Sequence, residues 1–206
     1  MNIVTRRILL CLLFLTLIAA GISADGLCSY PSEQQWFSFC IEQDGQFVPV
    51  RNNRVELEKA PFTLILIMRG PMGVLVNCSA KDNLFKGFLK NKPLSKITDK
   101  PEMFMGMGEG LGNDSEKIVI DDIAPHYMFY TDGASHRFSS TELKGEYVIG
   151  RRIVANFTSF DREFEPSPIN ELDADVIYLS FMRSEYDEDY NLVELQKEAL
   201  KVMFTE

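Results

Sequence analysis

The chain has 206 residues, with 30 acidic and 21 basic side chains and a formal net charge of −9. An acidic chain without a basic stripe is a poor match for nucleic acid, because phosphate binding needs clustered Lys and Arg to displace counterions. The same deficit argues against docking on anionic lipid. We therefore expect no nucleic-acid partner.

The first 24 residues have the pattern of a secretory signal peptide. Arg6 and Arg7 form a basic segment, residues 8–20 are apolar, and residues 23–24 supply small side chains before a cleavage site. An apolar run of about a dozen residues is too short for a membrane-spanning helix. We expect a single globular exported domain over 25–206, periplasmic or secreted, with no membrane insertion after cleavage.

The exported segment contains three cysteines, Cys28, Cys40 and Cys78. In an oxidising compartment one pair is expected to form a disulfide, and Cys28–Cys40 is the shortest closure. Cys40–Cys78 stays open as an alternative, because connectivity cannot be read from sequence alone. If Cys78 lies on a strand, we interpret it as a small buried apolar residue.

Turn residues divide the chain into short apolar runs that predict strands. The central run, residues 62–79, predicts an antiparallel hairpin whose first strand is covered on both faces, with its turn at the Gly/Pro-rich residues 69–73. A second hairpin is predicted around Asp44-Gly45. A bend or bulge is predicted at Gly150. Further strands are predicted at residues 55–58, 117–121, 126–131, 146–157 and 175–182.

Two helices are predicted. Asp82 is placed to cap a short helix near 83–90. Asn191 followed by Glu194 resembles a capping box, and apolar residues then recur at helical spacing, which predicts an amphipathic helix over 191–204. Because no βαβ alternation appears, the predicted fold class is α+β, mainly β. Its antiparallel sheets form a sandwich or barrel, accompanied by the short helix and the C-terminal amphipathic helix.

The two histidines, His126 and His136, flank the Asp132-Gly133 turn. Pairing of the flanking segments would bring imidazoles near a carboxylate, which is the composition of a general-base or zinc site. The spacing matches no established metal or hydrolase motif. We therefore favour a protein without enzymatic activity. A hydrolase using His126, His136 and Asp132 as catalytic residues is the alternative.

Three methionines, Met103, Met105 and Met107, fall on one face of an extended segment, where their thioethers could bind Cu(I). The competing interpretation is that they fill the core, because methionine adapts to irregular gaps. A copper-handling periplasmic protein is thus a third function considered. No cofactor is predicted.

The acidic segment before the predicted C-terminal helix has a partial calcium-loop spacing. Asp187, Asp189, Asn191 and Glu198 match positions 1, 3, 5 and 12 of an EF-hand, but Leu192 stands where the loop needs glycine. We therefore interpret these acidic residues as helix N-terminal residues that complement the helix dipole.

The acidic region 161–190 carries the candidate interaction surface. Aromatic side chains are interspersed there with carboxylates, a combination suited to a basic protein partner. The predicted function is a non-enzymatic exported binding protein, for instance an inhibitor or immunity protein that blocks a toxin or hydrolase. The residues assigned to partner binding are Phe160, Phe164, Tyr186, Asp187, Glu188, Asp189 and Tyr190.

Overall fold

A computed structural model describes residues 28–70, 73–98, 118–120, 126–131, 134–136, 138–159 and 165–205. This part of the chain is mostly strand, which confirms the prediction of a mainly β fold. The predicted signal peptide lies outside it. Within the described ranges, the chain forms no helix that is long and apolar enough to cross a bilayer.

The strands fall into three hydrogen-bonded sheets, which we number in chain order. They are β1 (Phe37–Gln43), β2 (Gln46–Val48), β3 (Arg54–Glu58), β4 (Phe62–Arg69), β5 (Val74–Ser79), β6 (Ile118–Ile120), β7 (His126–Thr131), β8 (Ala134–His136), β9 (Ser140–Lys144), β10 (Tyr147–Val154), β11 (Asn156–Ser159), β12 (Ser167–Pro168), β13 (Val176–Tyr186) and β14 (Leu192–Thr205). Helix α1 (Asn83–Leu89) follows β5, and short 3-10 turns occupy Leu94–Lys96 and Ile169–Glu171.

Two of the sheets enclose the main core. One has five strands in the order β2-β1-β4-β10-β9, and the other has six in the order β3-β14-β13-β5-β7-β8; the third is β12-β11-β6. All described strand pairs are antiparallel except β3–β14, which is parallel. Phe39 of β1 stacks on Phe181 of β13, with ring centroids 4.5 Å apart. The inner faces of the two large sheets therefore pack on each other.

Burial in this core agrees with two predictions. β4 is buried on both faces, as expected of an unbroken apolar run at the centre of a sheet. Cys78 of β5 is a buried free thiol, and burial raises its pKa to about 12. The thiol therefore acts as a small apolar core residue.

The predicted Cys28–Cys40 disulfide is confirmed, with the two Cα atoms 5.4 Å apart. It fixes the segment before β1 against the outer face of the five-stranded sheet. Arg69 at the end of β4 holds the same segment, because its Nη1 and Nη2 donate to the carbonyl oxygens of Glu33 and Ser32 at 2.9 and 3.1 Å.

Helix α1 covers the outer face of the six-stranded sheet, and its range confirms the helix predicted near 83–90. Asp82 occupies the N-cap position, but its side chain makes no capping hydrogen bond and instead forms an ion pair with Lys86 at 2.6 Å. The helix and the 3-10 turn after it share a second apolar cluster with the sheet: Leu75, Phe85, Phe88, Leu94, Met182 and Ala199.

A β-bulge in β14 determines which side chains of this strand face the layer formed by α1 and the 3-10 turn after it. Arg183 of β13 pairs with Gln196, and Ser184 pairs with Glu194, so Leu195 is an extra residue without a partner in the register. One extra residue reverses the alternation of faces along a strand. Glu194 is therefore moved to the outer face, whereas regular alternation would have placed it inside with Gln196.

The outward Glu194 meets Lys197, which lies on the same face and has a side chain only 7% exposed. The Glu194 carboxylate forms an ion pair with the Lys197 ammonium and accepts the Leu94 backbone N–H at 2.8 Å. Lys197 Nζ also donates to the Lys92 carbonyl at 2.9 Å. These bonds attach the α1 layer to β14.

Three predicted features are wrong. Residues 192–205 form strand β14, not an amphipathic helix, because their pairing with β13 decides the conformation over local apolar spacing. β4 and β5 belong to different sheets and are not a hairpin. β10 continues through Gly150 without a register shift; glycine is needed there because a Cβ would lie 2.2 Å from the Phe138 ring.

Replacement of Glu194 by alanine leaves the buried Lys197 ammonium without its ion-pair partner. Glu194→Ala should lower the free energy of unfolding by about 3 kcal/mol in urea denaturation. Asp175→Ala is the matched control. Asp175 pairs with Lys59 at 3.0 Å but its side chain is 89% exposed, so its loss should cost less than about 0.5 kcal/mol. Equal losses in the two variants would contradict the docking role of Glu194.

Candidate protein-interaction site

The β13–β14 hairpin brings together the described members of the predicted partner-binding set. β13 ends at Tyr186 and β14 begins at Leu192, and these two residues pair in register. Residues 187–191 form the turn between them. We name this end of the hairpin the tyrosine turn; its predicted partner-binding residues are Tyr186, Asp187, Glu188, Asp189 and Tyr190, all of them exposed.

Asp187 holds the tyrosine turn in one conformation. Its carbonyl oxygen accepts the Tyr190 N–H at 3.0 Å, and its own N–H donates to the Asn191 carbonyl at 3.0 Å. Its carboxylate oxygen Oδ1 accepts the N–H groups of Asp189 and Asn191 at 2.9 and 2.8 Å, and Oδ2 accepts Asn191 Nδ2 at 3.1 Å. Asp187 is therefore a turn-forming residue, of the kind that favours aspartate in turns.

Tyr190 occupies a position of the turn whose backbone conformation is unfavourable for tyrosine. Its φ is +61°, in the left-handed region that glycine and asparagine adopt most readily and that is rare for a bulky side chain. Its side chain is 86% exposed, so burial within this chain does not compensate for the backbone conformation. Folding of the hairpin alone does not explain a tyrosine here.

Two carboxylates directly precede Tyr190 on the same turn. Glu188 and Asp189 are exposed, and their side chains form no ion pair with any Lys or Arg in the described part of the chain. The turn thus presents aromatic surface beside negative charge, on a backbone that Asp187 fixes.

The predicted catalytic residues are described in part. β7 and β8 pair as the predicted hairpin, with His136 opposite Phe129. His126 lies three residues before Phe129, at the start of β7, and pairs with Val76 of β5. Asp132 lies outside the described residues. The catalytic role of His126, His136 and Asp132 stays a prediction.

Other candidates also lie outside the described residues. They are the copper candidates Met103, Met105 and Met107 and the partner-binding candidates Phe160 and Phe164, whose roles stay predictions. Within the described ranges, no three His, Cys, Asp or Glu side chains are grouped so that they could hold a metal ion.

The EF-hand alignment does not describe the local structure. Asp187 uses its carboxylate on the turn, and Glu198 lies within β14 opposite Phe181. The interpretation as acidic residues at a helix N-terminus is wrong too, because the segment is a hairpin turn.

The inner end of this hairpin carries a residue, Arg183, that was not predicted from the sequence as part of a site. Arg183 is two residues beyond Phe181 and thus on the same face of β13, which packs on the five-stranded sheet. A charged residue continuing an apolar strand face was the available signal. The predicted strand ended at residue 182, so the signal was missed.

Neither protein-family models, nor curated proteins, nor solved structures match this chain.

Asp187 gives the tyrosine turn a defined pH dependence. Hydrogen bonds from Asn191, and a further one from the Asp189 N–H, hold the pKa of Asp187 below its ordinary value of 3.8. The ionised carboxylate therefore favours the folded turn. This stabilisation is present above the unfolded-state pKa and is lost as pH falls through the lower folded-state pKa. A carboxyl NMR titration should give a value below 3.8; a value at or above it would contradict the assignment.

Asp187→Asn is the control for this titration, because it keeps an acceptor oxygen but cannot ionise. Hydrogen exchange at the Asn191 amide, corrected for intrinsic rates, should speed up in the wild type as the pH falls below the ordinary pKa of 3.8, and this dependence should be lost in the variant.

Tyr190→Asn should stabilise the protein. Asparagine tolerates the left-handed conformation, and an exposed tyrosine loses little burial when it is replaced. The free energy of unfolding in urea should rise by about 0.5–1 kcal/mol. A decrease would show that the Tyr190 ring supports the fold and would contradict our interpretation of the turn.

Proposed function

We propose that this protein is a non-enzymatic exported binding protein that uses the tyrosine turn to engage a basic partner protein. The observation that carries the proposal is the exposed Tyr190 in strained backbone beside Glu188 and Asp189. A bulky ring in this conformation is unfavourable for the isolated chain. Burial of the ring against a partner would compensate for the strain. Strained residues that persist in native proteins cluster at functional sites.

The chemistry of the turn matches a surface rich in Lys or Arg. Carboxylates of Glu188 and Asp189 can accept charge-assisted hydrogen bonds, and Arg does so with two parallel N–H groups. Tyrosine rings attract the same cations through their π faces. The net charge of −9 adds long-range attraction for a basic partner and speeds encounter at low salt.

The class of partner we favour is an exported toxin or hydrolase that this protein blocks. Blocking such a partner requires tight binding, and preorganisation favours it. The hydrogen bonds of Asp187 hold the turn in one conformation, so little conformational entropy would be lost when the turn binds. The Cys28–Cys40 disulfide supports an oxidising compartment, which agrees with the predicted signal peptide and with a periplasmic or secreted location.

The experiment compares three immobilised forms of the protein in native periplasmic or secreted extract. They are the wild type, the turn variant Glu188→Gln/Asp189→Asn/Tyr190→Asn, and a control variant Glu142→Gln/Leu143→Ser. The control alters an acidic and an apolar residue that are also exposed, on β9 of another hairpin. Retained proteins are identified by mass spectrometry at about 50 mM and about 500 mM salt.

We expect one basic protein to be retained by the wild type and the control at low salt. The turn variant should lose it, and high salt should weaken it for every form. Purified partner should then bind the wild type at least about tenfold more tightly than the turn variant. Absence of a retained protein, or equal retention by the turn variant, would refute the proposal.

A further inference from the structure

Arg183 places a guanidinium between the two large sheets, at the end of the apolar core. The residue is only 5% exposed, and it continues the inner face of β13 beyond the fully buried Phe181. Its Nη1 donates to the Gly73 carbonyl at 3.1 Å. Its Cζ lies 5.6 Å from the centroid of the Trp36 ring, which is a cation–π contact.

The guanidinium has no counter-ion in the described part of the chain. No carboxylate there lies within ion-pair distance of it, and its buried Nε has no hydrogen-bond partner among the same residues. Burial lowers the pKa of Arg183, and the nearby negative charge of Glu185 opposes that shift. A buried cation left unpaired is strongly unfavourable, and buried donors in native proteins are nearly always satisfied.

The neighbouring amide does not satisfy Arg183. Gln196 pairs with Arg183 across the strands, but its Oε1 accepts the N–H groups of Trp36 and Phe37 at 2.7 and 3.1 Å. Its Nε2 donates to the Phe37 carbonyl at 3.0 Å and to a carboxylate oxygen of Glu198 at 3.3 Å. Gln196 thus fixes the Trp36 backbone beside the guanidinium and leaves the guanidinium itself without an acceptor.

We propose that Arg183 binds the oxyanion of a small carboxylate or phosphate ligand beside Trp36. Nη1 donates to the Gly73 carbonyl, so Nε and Nη2, on the other edge of the guanidinium, are the donors left for the ligand. Two parallel N–H groups on this edge match two oxygens of a carboxylate or phosphate. Trp36 is 39% exposed and lies beside the guanidinium, so its ring offers the ligand an apolar surface to lie against. This site is separate from the tyrosine turn.

Trp36 is the only tryptophan in the chain and reports directly on the site. The purified wild-type protein is titrated with sodium acetate, sodium octanoate or sodium phosphate at constant ionic strength, with sodium chloride as the reference. We expect a saturable change in Trp36 fluorescence with a Kd of about 1 mM or below for at least one oxyanion. Tighter binding of octanoate than of acetate indicates an amphiphilic carboxylate, whereas a response to phosphate alone indicates a phosphate ligand.

Two lysine variants connect the signal to the guanidinium. Arg183→Lys keeps the charge but loses the planar pair of donors, so binding should weaken at least about tenfold. Arg54→Lys, at an exposed arginine of β3, should bind as the wild type does. Circular dichroism verifies that both variants are folded. The melting temperature of the wild type should also rise with the bound oxyanion.

Absence of a saturable fluorescence change with all three oxyanions in the wild type would overturn the proposal. An affinity in folded Arg183→Lys equal to that of the wild type would overturn it as well. If Arg183→Lys does not fold, the wild-type titration and its effect on the melting temperature decide the question.

Discussion

The extra residue Leu195 in β14 is the constraint on which much of this structure depends. The strand has to supply the inner core at Leu200 and Val202 and also dock the helix layer outside. Regular alternation would direct Glu194 inward, to the face that carries Gln196. Because the bulge reverses the alternation, Glu194 faces outward, joins Lys197 and accepts the Leu94 N–H. The extra residue thus allows β14 to contribute to the inner core on one face and to bind the helix layer on the other.

The bulge also explains why sequence analysis predicted a helix at the C-terminus. Apolar residues at 192, 195 and 199 fall three and four apart, as on a helix face, although 192 and 199 are on one strand face and 195 is the bulge. Features fixed by neighbouring residues were predictable: the hairpin at Asp44-Gly45, α1 and the disulfide. The separation of β4 and β5 into two sheets was not, because each strand's partners are distant in sequence.

The β13–β14 pair carries both proposed sites on one rigid scaffold. Its turn displays Tyr190 and the carboxylates of Glu188 and Asp189, whereas its inner face carries Arg183 without a counter-ion in the described chain. The residues of the turn could be predicted as a partner-binding site from sequence, because aromatic and acidic residues are adjacent there. Arg183 could not be assigned from sequence, because the argument needs the strand face, the Trp36 contact and the acceptors already used by neighbours. Each site has a locally unfavourable feature, as functional sites often do: the turn has a tyrosine in left-handed backbone, and the inner face has a buried arginine without an ion-pair partner in the described chain.

The most direct test of this account is amide hydrogen exchange in a variant with one alanine inserted between Arg183 and Ser184. The inserted residue gives Leu195 a partner on β13 and removes the bulge, so regular alternation turns Glu194 to the inner face and the Leu94 N–H loses its acceptor. Exchange at the Leu94 amide should accelerate by at least about tenfold, while the Leu200 amide in the inner core of β14 keeps its protection. Unchanged protection at Leu94 in the folded insertion variant would contradict the claim that the bulge fixes the outer layer.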